Sequence, residues 1–225
     1  MVPQNLWFIL NILRIPNQRK HIVKWILSLQ KDYLLKRKQP WVVFDALDFL
    51  NKIDIKGKRV FEYGSGGSTL YWLKKGARCV SIEHDKEWYN KVRAFVPDSL
   101  DLNYRLVEPQ LSSNQELLKD QADPNNYATG DDKLRQMDFA LYVKQIDEFP
   151  DEYFDIILID GRARPSCIKR SVSKVKPGGL LILDNSEREY YLAKAIEYLK
   201  AFQRNEFYGL VSSVPVISKT DIFIR

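Results

Sequence analysis

Hydrophobic positions change their period along the chain, and the change divides it into two parts. From His21 to Leu35, residues Ile22, Val23, Trp25, Ile26, Leu29 and Tyr33 recur at roughly helical spacing, which predicts one amphipathic helix with an apolar and a basic face. Pro40 breaks that pattern, and Trp41 to Ile53 predicts a second amphipathic helix. Beyond residue 57, short apolar runs alternate with helical stretches, as in a parallel sheet. Strands are predicted at Arg59–Tyr63, Arg78–Glu83, Leu102–Val107, Phe154–Asp160, Leu180–Asp184, Tyr208–Val214 and Asp221–Arg225. Helices are predicted near Ser68–Lys75, Lys86–Phe95, Phe139–Glu148, Cys167–Val175 and Glu187–Gln203. Residues 108–137 are polar, contain Pro109 and Pro124 and keep no period; they read as an insertion or lid. The expected fold is α/β: a doubly wound, seven-stranded, mostly parallel sheet with a reversed terminal strand. Residues 1–56 form an N-terminal helical cap or extension and residues 57–225 the ligand-binding domain.

Composition narrows this picture only a little. A chain of 225 residues, 45% hydrophobic and 28% charged, is long enough to bury a full core. Its longest apolar stretch, Leu6 to Leu13, is interrupted by Asn11 and too short to span a bilayer. It also lacks the flanks of a signal peptide. Cys79 and Cys167 fall in a strand and a helix with no Cys/His cluster around them. They read as core thiols of a reducing compartment, the cytoplasm. The tryptophans Trp7, Trp25, Trp41, Trp72 and Trp88 read as core or interface packing, and His21 as a surface residue.

The net charge of +6 is unevenly placed. Residues 14–38 carry Arg14, Arg19, Lys20, Lys24, Lys31, Lys36, Arg37 and Lys38 against Asp32 alone. Two readings follow: a basic amphipathic helix lying peripherally on an anionic membrane, or a cap over the substrate mouth or a homodimer contact. Nucleic acid is not an expected partner, because no binding module and no basic strand face with interleaved aromatics is present.

The candidate chemistry starts at Glu62-Tyr63-Gly64-Ser65-Gly66-Gly67-Ser68, a loop between a strand and a helix. Ligands bind at such loops in open α/β sheets, close to the point where strand order reverses. Glycines there allow close approach, and the helix start offers amide donors. A plain tight turn is the alternative. Glu62 precedes the first glycine by two residues, Glu83 ends the second strand where an acid can take both hydroxyls of a ribose, and Asp160 ends the fourth strand beside the same crevice. Acids around the loop suit a sulfonium better than a pyrophosphate. The dinucleotide fingerprint also needs Gly or Ala where Thr69 stands, so an NAD-linked oxidoreductase is the weaker choice.

Four segments, Phe61–Thr69, Ser81–Asp85, Phe154–Gly161 and Lys176-Pro177-Gly178-Gly179, resemble in order and spacing the successive motifs of class I methyltransferases that use S-adenosylmethionine (SAM). The resemblance covers about residues 57–225. It implies a seven-stranded Rossmann-like fold, SAM as cofactor, and SAM contacts at Glu62, Gly64, Ser65, Gly66, Gly67, Ser68, Glu83 and His84. Asp160, Asp184 and Asn185 further resemble the metal-ligand positions of catechol-type O-methyltransferases, where Mg²⁺ or Ca²⁺ would hold a substrate diol. The lysine those enzymes carry after the first ligand is missing, and a metal is not the favoured reading. In the alternative, Asp160 and Asp184 orient SAM or substrate, and Asn185 caps a helix.

Methyl transfer needs in-line placement and, for a hydroxyl acceptor, a base; Asp160, Asp184 and His84 are the candidates. Arg162 and Arg164 are read either as anchors for an anionic substrate or as solvated arginines. Tyr190 and Tyr191 are expected at the pocket rim, one of them available to stack on substrate and at least one serving as helix packing. The function implied is methylation of an oxygen, with nitrogen as second choice, in a small-molecule or glycan-type substrate; a non-catalytic SAM-binding sensor or scaffold is the alternative from another class.

Overall fold

A computed structural model describes residues 4–97 and 101–225. The chain enters through α1 (Gln4–Ile12), a 3₁₀ segment at Pro16–His21, α2 (Ile22–Leu27), α3 (Tyr33–Arg37) and α4 (Phe44–Asn51). It then alternates: β1 (Arg59–Tyr63), α5 (Gly67–Lys74), β2 (Arg78–Glu83), α6 (Lys86–Arg93) and β3 (Leu102–Leu106). Two short strands, β4 (Gln110–Leu111) and β5 (Met137–Asp138), pair antiparallel and close the base of the polar insertion. The order then continues with α7 (Ala140–Val143), β6 (Phe154–Ile159), α8 (Arg164–Ser171), β7 (Val175–Asp184), β8 (Gln203–Leu210) and β9 (Ile217–Ile224).

The main sheet has seven strands in the order β3-β2-β1-β6-β7-β9-β8. All pairings are parallel except those of β9, which runs antiparallel to both β7 and β8. The predicted α/β class, strand number and reversed terminal strand are therefore present. Strand β6 is a nearly unbroken apolar run because helices cover both faces of the sheet there. One apolar layer joins Phe8, Ile12, Trp25 and the α4 residues Phe44 and Leu50 to Val60, Trp72 and Ile182. The opposite layer packs Phe139, Tyr142, Cys167 and Ile168 against Phe61, Ile157 and Leu183.

Four local expectations need correction. The helix predicted over His21–Leu35 is two helices. Ser28 Oγ turns back to the Trp25 carbonyl (2.6 Å) while accepting from the Ser213 amide (2.7 Å), and Asp32 adopts a left-handed backbone. The helix predicted over Glu187–Gln203 is reduced to 3₁₀ turns at Glu189–Tyr191 and Ala195–Leu199, since Tyr191 is drawn beneath the Arg164 guanidinium (4.9 Å). Strand β7 starts at Val175 and runs through Pro177-Gly178-Gly179 with a register irregularity against β6, instead of beginning after them. His21, read as surface, is 1% exposed, with Nε2 3.0 Å from Asp45 Oδ1.

The N-terminal helices are bonded to the β8–β9 turn and to α6. Trp25 Nε1 donates to the Val214 carbonyl (2.8 Å), Trp41 Nε1 to the Ser212 carbonyl (2.8 Å), and Gln39 Nε2 to Ser212 Oγ (3.1 Å). Asp32 pairs with Lys91 on α6 at 2.6 Å. Trp25 and Trp72 are core residues as expected, whereas the Trp7 side chain lies outside the described ones. On the outer side, Leu10, Leu13, Ile15, Val23, Ile26, Leu27 and Leu29 are exposed. Among the described residues, no helix is long and apolar enough to cross a membrane.

Candidate active site

Strand order reverses between β1 and β6, and the loops leaving their carboxyl ends face each other. The Asp160 amide donates to the Tyr63 carbonyl (3.0 Å), and the Gly64 amide to the Ile82 carbonyl (2.8 Å). Gly64 has φ +90°, and a Cβ there would stand 3.0 Å from the Asp160 carbonyl group. Glycine is thus required both by backbone conformation and by the closeness of the two loops.

The loop is tied down by side chains. Glu83, 2% exposed at the end of β2, accepts from the Ser65 amide (3.0 Å) and hydroxyl (2.8 Å) at one oxygen, and from the His84 (2.7 Å) and Asp85 (2.9 Å) amides at the other. Burial would raise its pKa, but His84 and these amides outweigh burial and hold the carboxyl below its usual value. Ser65 Oγ also meets Tyr104 OH at 2.6 Å, and Trp88 Nε1 donates to the Ser65 carbonyl (2.8 Å). Asp85 caps α6 by accepting from the Trp88 amide (2.8 Å).

Glu62 points the other way, into the core beneath the loop. It accepts from Thr69 Oγ1, Ser81 Oγ (2.7 Å) and Trp72 Nε1 (3.2 Å), and Thr69 Oγ1 in turn accepts from the Gly66 amide (3.0 Å). Burial pushes the Glu62 carboxyl up to about 7 against those hydrogen bonds. Its place is under the loop, and Thr69 links it to the loop backbone.

A cavity of about 760 Å³ runs along this crevice, lined by Gly64, Ser65, Glu83, His84 and Trp88, by Asp160, Arg162, Arg164, Asp184 and Asn185, and by Trp41, Arg188 and Val211 to Ser218 residues of the β8–β9 hairpin. Gly66, Gly67 and Ser68 line an adjoining space of about 350 Å³ together with Leu29, Tyr33, Leu34 and Leu35 of the cap, and Trp41, Ser65, Trp88 and Asp160 line both. The structure therefore brings Gly64, Ser65, Glu83, His84, Asp160, Arg162, Asp184 and Asn185 to one cavity, Gly66, Gly67 and Ser68 to the adjoining one that Ser65 and Asp160 share, and buries Glu62 beneath the loop. A third cavity, about 510 Å³, adjoins the first along Gly161, Arg162, Arg164 and Arg188 and is walled by insertion residues Ala128 to Lys133. Arg162 pairs there with Asp131 at 3.0 Å.

Solved structures share this architecture. An O-methyltransferase from Bacillus cereus in complex with SAH aligns over 100% of this chain and 92% of its own, with TM-score 0.53 and 17% identity. A methyltransferase from Pyrococcus furiosus aligns over 80% of this chain and 81% of its own (TM-score 0.45, 16% identity). A spermidine synthase from Thermotoga maritima aligns over 75% of this chain and 53% of its own (TM-score 0.49, 14% identity). No family model and no curated protein matches the sequence. The fold is the class I methyltransferase fold.

Within this methyltransferase fold, three sequence readings change. Arg164, read as a substrate anchor or a solvated arginine, is 4% exposed and spans the loops after β6 and β7. Its Nε donates to the Gly161 carbonyl (3.1 Å), Nη2 to the Asp160 carbonyl (3.2 Å) and Oδ1 (3.0 Å), and Nη1 to the Asp184 carbonyl and to Asn185 Oδ1 (3.2 Å). Tyr191 is buried below it, packing against the guanidinium from a 3₁₀ turn instead of from a helix, and with Tyr190 it lines the third cavity. Asn185 is not a simple helix cap: its φ is +50°, and its amide donates to Ser218 Oγ (3.1 Å).

The acids beside Arg164 are unequal. Burial raises Asp160 to about 6, with Glu62 and Glu83 adding and the two arginines opposing. Asp184 is pushed well above the carboxylate range by burial and by Asp160, and its Oδ1 accepts from Thr220 Oγ1 (2.6 Å). Of the residues suggested for a metal, Asp160 Oδ1 and Asn185 Oδ1 converge with the main-chain carbonyl of Asp184 on a guanidinium, while the Asp184 carboxylate faces Thr220, so as arranged they do not fit Mg²⁺ or Ca²⁺. Among the described residues, one group of His and acid side chains has the spacing of ion ligands: His21, Asp45 and Asp48. Lys20 (2.6 Å) and Lys24 (3.0 Å) already neutralise its acids.

Sequence reading missed Trp41, Trp88, Tyr104, Arg188 and the hairpin wall. Trp88 was findable, since an aromatic three residues after the Asp85 cap faces back over the loop. The others reach the site through strand order and long-range packing.

Proposed function

We propose that the chain is a SAM-dependent methyltransferase acting on an oxygen, with nitrogen as second choice, of a small-molecule or sugar-containing acceptor. One observation carries this reading: Glu83 and Asp160 stand at the carboxyl ends of β2 and β6, the two strands that flank β1 and its Gly64 turn, and line one cavity large enough for a nucleoside and an acceptor. The acidic lining suits a cationic ligand. Glu83 can take ribose hydroxyls by releasing the Ser65 hydroxyl, which keeps Tyr104 OH as partner. Trp88 offers an aromatic wall.

SAM, when bound, supplies an electrophilic methyl group and leaves as a neutral thioether. The residues supply the rest. Asp160, ionised near neutral pH and 23% exposed to the cavity, accepts the acceptor hydroxyl proton as the new oxygen–carbon bond forms. Arg162 and Arg188, which line both adjoining cavities, hold an acidic or polar part of the acceptor. The cavity's polar face at Asp160, Asp184 and Asn185 favours an enzyme over a non-catalytic sensor. Thermal-shift titration with SAM, S-adenosylhomocysteine and NAD is expected to give stabilisation by the first two; stabilisation by NAD alone would sink the reading.

We further propose that the outer face of the cap lies on anionic lipid. Val23, Ile26 and Leu29 are exposed beside Arg14, Arg19, Lys31, Lys36 and Lys38. Co-sedimentation with phosphatidylserine vesicles should exceed that with phosphatidylcholine, and Val23→Glu with Ile26→Glu should remove the difference without unfolding the chain. Equal pelleting with both lipids would refute lipid attachment.

A further inference from the structure

Arg164 is a buried cation that spans the loops leaving β6 and β7, on the wall of the main cavity. A guanidinium has five N–H donors, and here five acceptor contacts use them: Gly161 carbonyl, Asp160 carbonyl, Asp160 Oδ1, Asp184 carbonyl and Asn185 Oδ1. The Tyr191 ring lies 4.9 Å from the guanidinium carbon and covers one face. Two non-glycine residues flank the arrangement in the left-handed region: Ala163 at φ +49°, directly before Arg164, and Asn185 at φ +50°, which presents its amide to it. Such backbone is held only where surrounding contacts determine it, and here those contacts converge on one guanidinium.

We propose that Arg164 is the resident cation of the acceptor site, standing between Asp160, Asp184 and Asn185 in place of a divalent ion, so that methyl transfer by this chain proceeds without one. The inference rests on the methyltransferase reading for its chemistry and on the five contacts for its geometry. A divalent ion needs oxygen ligands at about 2.0–2.6 Å. Here the Asp160 carboxylate, the Asn185 amide oxygen and the Asp184 carbonyl already face Arg164, while Asp184 Oδ1 faces Thr220. An ion entering would strip a buried arginine of its partners and set a double charge beside a single one in a site with two carboxyls. With its donors filled, Arg164 does not touch the acceptor. It is a positioning residue that fixes the Asp160 carboxylate and joins the β6 loop to the β7 loop.

The test is calorimetric titration of the full chain with MgCl₂, CaCl₂ and MnCl₂, with SAM titrated into the same samples. The unsubstituted protein should show no saturable divalent binding. Arg164→Ala should acquire a single Mn²⁺ or Ca²⁺ site that Asp160→Asn in the same chain abolishes, while Arg164→Lys stays without one. Saturable 1:1 binding by the unsubstituted protein, lost in Asp160→Asn, would overturn the proposal, as would a folded Arg164→Ala protein that binds no divalent ion. Should Arg164→Ala fail to fold, the unsubstituted titration still decides. Failure of SAM to bind the unsubstituted protein would instead reject the methyltransferase reading, and the metal titrations distinguish the two failures.

Discussion

Asp160→Asn is expected to lower methyl transfer by about 10²–10⁴-fold, the range for loss of a positioned general base, while changing SAM affinity by no more than a few-fold. Transfer of labelled methyl from SAM to one hydroxylated acceptor, compared in both proteins, reads the effect. The substitution keeps the side chain's shape and an oxygen for Arg164 Nη2, so lost turnover would report the missing proton acceptor. The pH dependence has a definite sign. Burial raises Asp160 to about 6, so its active, ionised form is lost as pH falls through about 6, and turnover should fall with it. Stability moves in the opposite direction. A carboxyl whose folded pKa lies above its unfolded value of 3.8 favours folding when protonated, and that contribution fades between 3.8 and about 6 as pH rises. The protein therefore gains its base over the range in which this residue ceases to favour the fold. Unchanged turnover in Asp160→Asn would remove the residue from the chemistry.

Gly67→Ala has the second large expected effect, and on stability. A Cβ at residue 67 would lie 2.0 Å from the Gln39 carbonyl oxygen and 2.8 Å from that of Leu34. Both atoms are backbone, so the α3 segment must move off the loop. Overpacking of this kind costs about 1–3 kcal/mol, or roughly 3–10 °C in melting temperature for a chain of this size. Gly66→Ala is the control, since its Cβ would meet only the Trp88 side chain at 3.7 Å. Equal melting temperatures for the two variants would show that the cap does not sit on the loop.

Gly67 also shows what sequence could and could not convey. Its glycine-rich setting reads correctly as a loop after the first strand, yet the reason for glycine is the approach of residues 34–39 and not of a ligand. The sheet was legible because buried parallel strands such as β6 are continuous apolar runs and the glycine and Pro-Gly-Gly turns mark their ends. Glu83 and Asp160 were legible because strand ends carry the site in this architecture. Glu62 was misplaced because alternation along β1 puts it on the α5 side, where Trp72 and Ser81 await it. Arg164 was misread because an arginine's partners, here the Asp184 carbonyl and Asn185, come from a strand twenty residues on. His21 failed for the same reason: Asp45, on another helix, makes it a core residue.

The bonds between the cap and the β8–β9 turn carry a consequence for biosynthesis. Trp25 finds its acceptor at Val214, 189 residues later, and Trp41 finds its own at Ser212, 171 residues later. At about 5–20 residues per second on the ribosome, roughly 10–40 s separate the emergence of each tryptophan from that of its partner. During that interval the sheet itself is still being made, and the two indoles lack their carbonyl acceptors until its last turn appears. Nascent chains stalled shortly before residue 212 should thus carry a protease-sensitive cap over an otherwise protected sheet centre.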